Sequence, residues 1–368
     1  MLIHGYATPE GTARYRQRFA DILPAHYRES KGLWVSSIGL GTYLGDPSDA
    51  VDDRYAETAA LAAHAGINVF DTAVNYRHMR SERAIGRAVA ELTSSGVAKR
   101  DEIIVATKGG FLSYDGKEPD DPEAYFQEKL IQRGLAAPEE IVAGCHTLAP
   151  RYLAHQIDVS RGNLGIDTID LYYLHNPETQ LREVSHDEFL RRLRLAIDVL
   201  EQAVADGKIR MYGAATWNGF RVQPDSQEAI SLEEFLRVAR EVGAGKHHFA
   251  AVQVPFNIAM PEALAANTQT MNGRPAPLLH VARENGLMVF SSASLLQSHL
   301  AKGLPAGFQQ WIPGFSTDAQ RAIQFVRSTP GITCALVGMS SRQHLQENIA
   351  TASQPPLSLA EYRGMFHK

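Results

Sequence analysis

Five times along this chain a helix-like stretch ends in glycine and an apolar run begins at once. Gly66 precedes Ile67 to Phe70, Gly165 precedes the run ending at Leu174, and Gly207 precedes Lys208 to Tyr212. Gly286 precedes Leu287 to Phe290, and Gly331 precedes Ile332 to Val337. Glycine takes the left-handed conformation that commonly closes a helix, so each case predicts helix, cap and strand. The runs are near-continuously apolar, as expected of parallel strands covered on both faces. Ser37 to Leu40, Ile103 to Ala106 and Ala250 to Val254 complete a set of eight strands. Start signals fall between them. Ser185-His186-Asp187-Glu188 fits a capping box ahead of the amphipathic stretch Phe189 to Val204. Ser231-Leu232-Glu233-Glu234, Thr317-Asp318-Ala319-Gln320 and Ser340-Ser341-Arg342-Gln343 repeat the pattern.

Eight β-then-α units predict an α/β fold, a closed (β/α)8 TIM barrel in preference to an open doubly wound sheet. The first strand leads into Gly39-Leu40-Gly41-Thr42-Tyr43-Leu44-Gly45, whose three glycines have the wrong spacing for a Rossmann fingerprint. A barrel occupies roughly 250 residues, so a chain of 368 carries a surplus. The expectation is one barrel domain over residues 1–368, with an N-terminal extension at 1–34 and an insertion at 109–145 on the active-site face. Short helices are expected there at Glu123 to Gln132 and Pro138 to Ala143. Tyr114, Tyr125 and Phe126 either offer ring- or sugar-stacking faces at the entrance or form the small core of a loop subdomain.

Charge and cysteine content narrow the function classes. The 36 basic and 41 acidic side chains give a net charge of −5 with no basic stripe, which argues against nucleic acid as a partner. The two cysteines, Cys145 and Cys334, sit in unlike contexts, so a disulfide framework is not expected and a cytoplasmic home is. The N-terminus lacks an apolar signal region, and no apolar stretch reaches the ~18 residues of a membrane span. His247-His248 and Cys145-His146 are sequence neighbours whose side chains diverge, and no metal-ligand signature is present. Oligomeric state is not readable.

Asp71, Lys108 and His175 each close a predicted strand, and Tyr76 follows Asp71 on the loop leaving the same strand. Strand C-termini of a barrel converge on one mouth, where barrel enzymes do chemistry. A phenol with a pKa of about 10 is a poor proton donor at neutral pH. A neighbouring ammonium is expected to lower that pKa, and an aspartate to balance the ammonium. A histidine can donate a hydrogen bond to a carbonyl oxygen that is becoming an alkoxide. Such a set protonates the alkoxide formed by hydride addition, and in reverse it deprotonates an alcohol.

These residues resemble the aldo/keto reductase superfamily. The likeness runs from Ile38-Gly39-Leu40-Gly41-Thr42 through Asn68 to Tyr76, Ser81-Glu82, Ala106-Thr107-Lys108 and Leu174-His175-Asn176-Pro177, to Leu345-Gln346-Glu347-Asn348. It implies Tyr76 as general acid/base, Lys108 and Asp71 as its tuning pair, and His175 as the group orienting the carbonyl. It also implies NADP(H) as cofactor. Thr42, Thr216, Gln253, Gly338, Ser340, Arg342, His344, Glu347 and Asn348 would bind it, with Arg342 favouring the 2′-phosphate.

Some positions depart from the family pattern. Ala215 and Thr216 replace a Ser-Asn pair at the nicotinamide carboxamide, unless Asn218 swings in, and Ser292 stands where an aromatic residue stacks. Phe290 or Trp217 is then a candidate for stacking. The expected function is an NADP(H)-dependent oxidoreductase acting on a small carbonyl or alcohol. The alternative is an NADP(H)-binding sensor or auxiliary barrel with little turnover. A cofactor-free isomerase or lyase is a more remote third.

Overall fold

The structure is a computed structural model that describes residues 2–23 and 25–366. Met1, Pro24, His367 and Lys368, which the expected 1–368 domain includes, lie outside the described residues. Eight parallel strands close into a barrel: β1 Ile38–Gly41, β2 Val69–Asp71, β3 Ile104–Gly109, β4 Ile169–His175, β5 Ile209–Ala215, β6 Phe249–Pro255, β7 Met288–Ser292 and β8 Cys334–Gly338. Each pairs with its sequence neighbour, and β8 returns to β1 through Ala335 opposite Ile38. Around them lie α1 Asp49–His64, α2 Arg80–Ser94, α3 Pro150–Leu164, α4 His186–Ala205, α5 Leu232–Val242, α6 Leu278–Glu284, α7 Asp318–Ser328 and α8 Arg342–Ala350. All five glycines between helix and strand have positive φ, from 62° at Gly286 to 100° at Gly66.

Helix starts follow local chemistry. Ser185, Ser231 and Thr317 cap α4, α5 and α7 with their hydroxyls, and Thr317 with Gln320 forms the full reciprocal box. At α8 the cap is Ser341, one residue later than Ser340, because its hydroxyl reaches the His344 N–H at 3.2 Å.

The extension forms the floor of the barrel. Its helix Pro9–Gln17 leads to an antiparallel hairpin, Tyr27–Ser30 with Leu33–Ser36. Leu33 and Val35 pack into the same core as Val69, Ile104 and Leu171 from the barrel interior. Asp170 in β4 ties the layers together. Its carboxylate accepts from the Ala7 N–H at 2.6 Å, the Val105 N–H at 2.8 Å and Arg100 at 2.7 Å.

The insertion starts at Gly110, one residue later than expected, because β3 continues through Gly109. Leu112, Leu130 and Ala136 of the insertion pack with Ala149 and Tyr152 at the start of α3 in a small separate core. The first expected helix is present, and the second is shorter. Pro122–Phe126 is α-helical and widens into a π-type turn at Gln127–Ile131, where the Gln132 N–H reaches the Gln127 carbonyl at 2.9 Å. Pro138–Glu140 is a single 3-10 turn. A second hairpin, Gln269–Met271 with Arg274–Ala276, was not anticipated. Among the described residues no helix is long and apolar enough to cross a membrane.

Asp170 is the buried counter-charge of Arg100, and the pair is only 2.7 Å apart. Asp170→Asn strands that guanidinium in the barrel floor and should lower stability by about 3–5 kcal/mol. Urea unfolding measures this, and a loss below about 1 kcal/mol, the scale of a surface pair, would contradict the anchor.

Candidate active site

Strand alternation explains why these polar side chains meet. Successive residues of a strand point to opposite faces. In β3, Ile104 and Ala106 face the barrel interior, and Lys108 continues that face. In β4, Leu171 and Tyr173 do the same below His175, and in β2 Val69 lies below Asp71. Register completes the layer. Asp71 pairs with Ala106, His175 with Ala215 and Ala215 with Gln253.

Lys108 is wholly buried, and its Nζ donates to Asp71 Oδ1 at 2.6 Å and to the Thr72 carbonyl at 2.7 Å. Its remaining side-chain partner is the Tyr76 phenol, whose ring centre lies 4.8 Å away. Gln253 Nε2 donates to the other oxygen of Asp71 at 2.7 Å. The Tyr76 and His175 rings meet edge-to-face at 5.7 Å.

Burial governs the proton affinities. It lifts the Asp71 carboxyl above its ordinary value against the pull of Lys108. Burial alone would lower the Lys108 ammonium, but Asp71 and Tyr76 outweigh it and leave the group raised, hence charged. The Tyr76 phenol is raised, because its burial exceeds the stabilisation that Lys108 offers a phenolate. The sequence-based expectation of a lowered phenol pKa is therefore corrected: this tyrosine holds its proton. His175 is pushed well below its ordinary value by burial, then by Lys108 and His146, so its ring is neutral.

Above the layer opens a cavity of about 420 Å³. Asp71, Tyr76 and His175 line it, as do Thr42, Thr216, Gln253 and Gly338 of the residues proposed for a cofactor. Lys108 lies behind this wall. Ser340, Arg342, His344, Glu347 and Asn348 do not line the cavity and sit around the end of β8 and in α8. Arg342 pairs with Glu57 of α1 at 3.2 Å in an exposed contact, and Asn348 is buried. Gln253 has spent its amide nitrogen on Asp71, which leaves its carbonyl oxygen for a ligand. Asn218 is not free to swing in: its Nδ2 donates to Glu228 at 2.7 Å and its N–H to Glu178 at 3.0 Å. Phe290 is packed in the barrel core against Tyr173, whereas Ser292 and Trp217 line the cavity.

Other residues at the site were not singled out from the sequence. Asn75, Tyr43, Phe111 and Asn176 also line the cavity, as do Ser294, Leu295, Gln297 and Ser298 of one turn. In that turn Leu296, Gln297 and Ser298 all take left-handed conformations without glycine. Tyr114, Tyr125 and Phe126 do not line it. They pack on one another, with Tyr114 and Phe126 stacked at 5.0 Å.

The insertion reaches the site through Phe111, and His146, the residue that follows the insertion, braces the site from behind. Its Nε2–H donates to the His175 carbonyl at 2.8 Å, and its Nδ1 accepts from Gln180 Nε2 at 2.9 Å. Phe111 meets both imidazoles edge-to-face at 5.0 Å. Gly110 (φ 128°) makes room, since a Cβ there would lie 2.8 Å from His146 Nε2.

The fold and this polar cluster define a (β/α)8 barrel with a buried, charge-balanced proton site at the C-terminal mouth. The aldo/keto reductase family profile matches residues 37–303. The chain belongs to that family. It is 28% identical over 188 residues to a protein named NADH-specific methylglyoxal reductase from Escherichia coli, a match covering 50% of this chain and 49% of that one. The match thus spans about half the length of that relative. Among solved structures, an aldo/keto reductase from Klebsiella pneumoniae superposes with a TM-score of 0.61 at 20% identity, over 93% of this chain and 94% of the other. The aldo-keto reductase AKR11C1 of Bacillus halodurans gives 0.62 at 20% identity, over 93% and 95%. These two likenesses show the fold.

Burial holds His146 neutral, with its pKa lowered from 6.5 to about 4. Between those values the unfolded chain binds a proton that the folded one does not. The stability this group contributes is therefore complete above about pH 6.5 and is lost as pH falls toward 4, by up to about 1.4 kcal/mol per unit. Urea unfolding at pH 7 and pH 5 should show a smaller acid loss in His146→Gln than in the parent. An equal loss would contradict the assignment.

Proposed function

We propose that this protein is an NADP(H)-dependent oxidoreductase that interconverts an aldehyde or ketone and its alcohol, with Tyr76 as general acid/base. The observation that supports this best is the raised, protonated phenol of Tyr76 beside a neutral His175, with the Lys108–Asp71 pair behind it. His175 donates a hydrogen bond to the substrate carbonyl oxygen and orients it. As a hydride adds to the carbonyl carbon, the C=O π electrons move to that oxygen, and the Tyr76 O–H bond breaks to give it the proton. Lys108 then stabilises the phenolate until water returns the proton, and Asp71 keeps the ammonium in place. In the alcohol-oxidising direction the same groups act in reverse.

A nicotinamide dinucleotide supplies the hydride when bound, and the residues present fit one. Thr216 Oγ1 and Asn75 Oδ1 are buried at the cavity without any hydrogen-bond partner. Thr216 and the Gln253 carbonyl suit a carboxamide, and Trp217 offers the aromatic face that Ser292 lacks. Gln297 and Ser298 of the left-handed turn line the cavity and suit a phosphate contact. Arg342 and Ser340 at the start of α8 suit a 2′-phosphate, with Glu347 and Asn348 toward the adenine and His344 beside them. Two of the Klebsiella pneumoniae structures hold NADP or NADPH. The Escherichia coli relative is named for NADH, so Arg342 carries the choice of NADP(H) here. The insertion roofs the substrate side through Phe111.

Tyr76→Phe should lower kcat for carbonyl reduction by about 10²–10⁴-fold and leave NADPH affinity, read by fluorescence titration, within about twofold. Retained turnover contradicts the acid assignment. Tight NADPH binding by the parent with no oxidation across a carbonyl panel would favour the auxiliary-barrel alternative. Arg342→Ala should weaken NADPH about tenfold, on the scale of one charge-assisted contact, and leave NADH binding unchanged. Equal losses for both would remove Arg342 from the phosphate site.

A further inference from the structure

The chain leaves Tyr76 through three consecutive left-handed residues, none of them glycine. Arg77, His78 and Met79 have φ of 48°, 58° and 68°. That conformation brings Cβ close to the following carbonyl oxygen, a cost that glycine escapes. It persists only where the surroundings over-determine it. The middle residue is held by the insertion, since the His78 carbonyl accepts from the Gly116 N–H at 2.9 Å. Met79 gives no side-chain cap to α2. The remaining restraint falls to Arg77.

The Arg77 side chain is only 2% exposed. Its Nη1 donates to Asp52 Oδ1 at 2.5 Å and its Nε to Ser81 Oγ at 3.0 Å. The guanidinium also lies over the Tyr55 ring, 4.9 Å from its centre. These partners lead to the surroundings of Tyr76. Ser81 Oγ donates to the Thr42 carbonyl at 2.9 Å, and the Tyr55 hydroxyl to the Leu44 carbonyl at 2.9 Å. Between those two anchors stands Tyr43, whose ring meets that of Tyr76 edge-to-face at 5.1 Å. Arg77 thus grips both the backbone leaving the phenol and the loop packed on its ring. It does not itself line the cavity.

Resting on the reductase reading above, we propose that Arg77 is a positioning residue for Tyr76: paired with Asp52, it holds a glycine-free left-handed turn and so sets where the phenol stands against Lys108 and His175. Without that side chain the turn relaxes toward ordinary backbone angles, and the phenol is carried off line from the carbonyl oxygen. Proton delivery slows, while the groups that suit the cofactor stay in place.

Arg77→Ala and Arg77→Gly in the full chain separate backbone from charge, because both delete the ion pair and only alanine keeps a Cβ. Arg77→Ala should lower kcat for carbonyl reduction by about 10–10²-fold, with NADPH affinity by fluorescence titration within about twofold of the parent's. Arg77→Gly should be severalfold faster than Arg77→Ala, since glycine adopts this backbone without strain. Equal kcat in the two variants would assign the effect to lost charge alone and overturn the proposal, as would parental kcat in Arg77→Ala. Arg77→Lys serves if urea denaturation shows the smaller side chains unfolded. It keeps a cation for Asp52 but loses the fork that also reaches Ser81, and it should lower kcat severalfold at unchanged NADPH affinity. Parental kcat in that variant likewise overturns the proposal. In all these failures the reductase reading still stands on Tyr76→Phe. No NADPH oxidation by the parent with any carbonyl removes that reading and this inference with it.

Discussion

A lysine ammonium with no exposed surface has to be answered by charge and by hydrogen bonds, and in this protein Asp71 answers it. The 2.6 Å contact from Lys108 to Asp71 joins the ends of β2 and β3, and Gln253 from β6 holds the second carboxylate oxygen. Three strands are thereby tied at the mouth by one buried pair. Removing either partner would leave an uncompensated charge at a cost of about 3–5 kcal/mol. The pair also sets the electrostatics of the site. Its net charge is zero, so Tyr76 keeps its proton through burial and His175 stays neutral, while Lys108 remains placed to receive a phenolate.

The rest of the molecule supports that layer from two sides. Below, the hairpin at Leu33–Ser36 and the Asp170–Arg100 pair complete the floor that a bare set of strands would leave open. Above, the insertion is stitched at both ends: the Thr147 N–H donates to the Gly110 carbonyl at 2.9 Å, and His146 holds the carbonyl of His175 itself. The surplus length therefore has two jobs. The extension is structural, and the insertion brings Phe111 and His146 against the proton site.

Much of this was legible in the sequence because each signal was local. A glycine after a helix, an apolar run after the glycine and a polar residue on its last inward position together give the barrel and the meeting of Asp71, Lys108 and His175. What was not legible depends on distance or on burial. His146 lies 29 residues before His175, and nothing local says that they touch. The bends at Arg77–Met79 and Leu296–Ser298 use left-handed backbone without glycine, so no residue type marks them. The hairpin turn at Asn272-Gly273 carries an Asn-Gly signal, but its flanking strands are only three residues each and stand outside the barrel pattern. The direction of the Tyr76 pKa is not legible in the sequence, which sets an ammonium near a phenol but does not show how deeply both are buried.

The central claim is that Tyr76 is protonated at working pH and donates that proton as the carbonyl is reduced. The pH dependence of kcat/KM for carbonyl reduction at saturating NADPH tests it most directly. A protonated donor with a pKa above about 10 predicts a rate that is flat from about pH 6 to pH 9. A rate that falls tenfold per unit above about pH 7 would mean that the phenol ionises near neutrality, and would contradict the account.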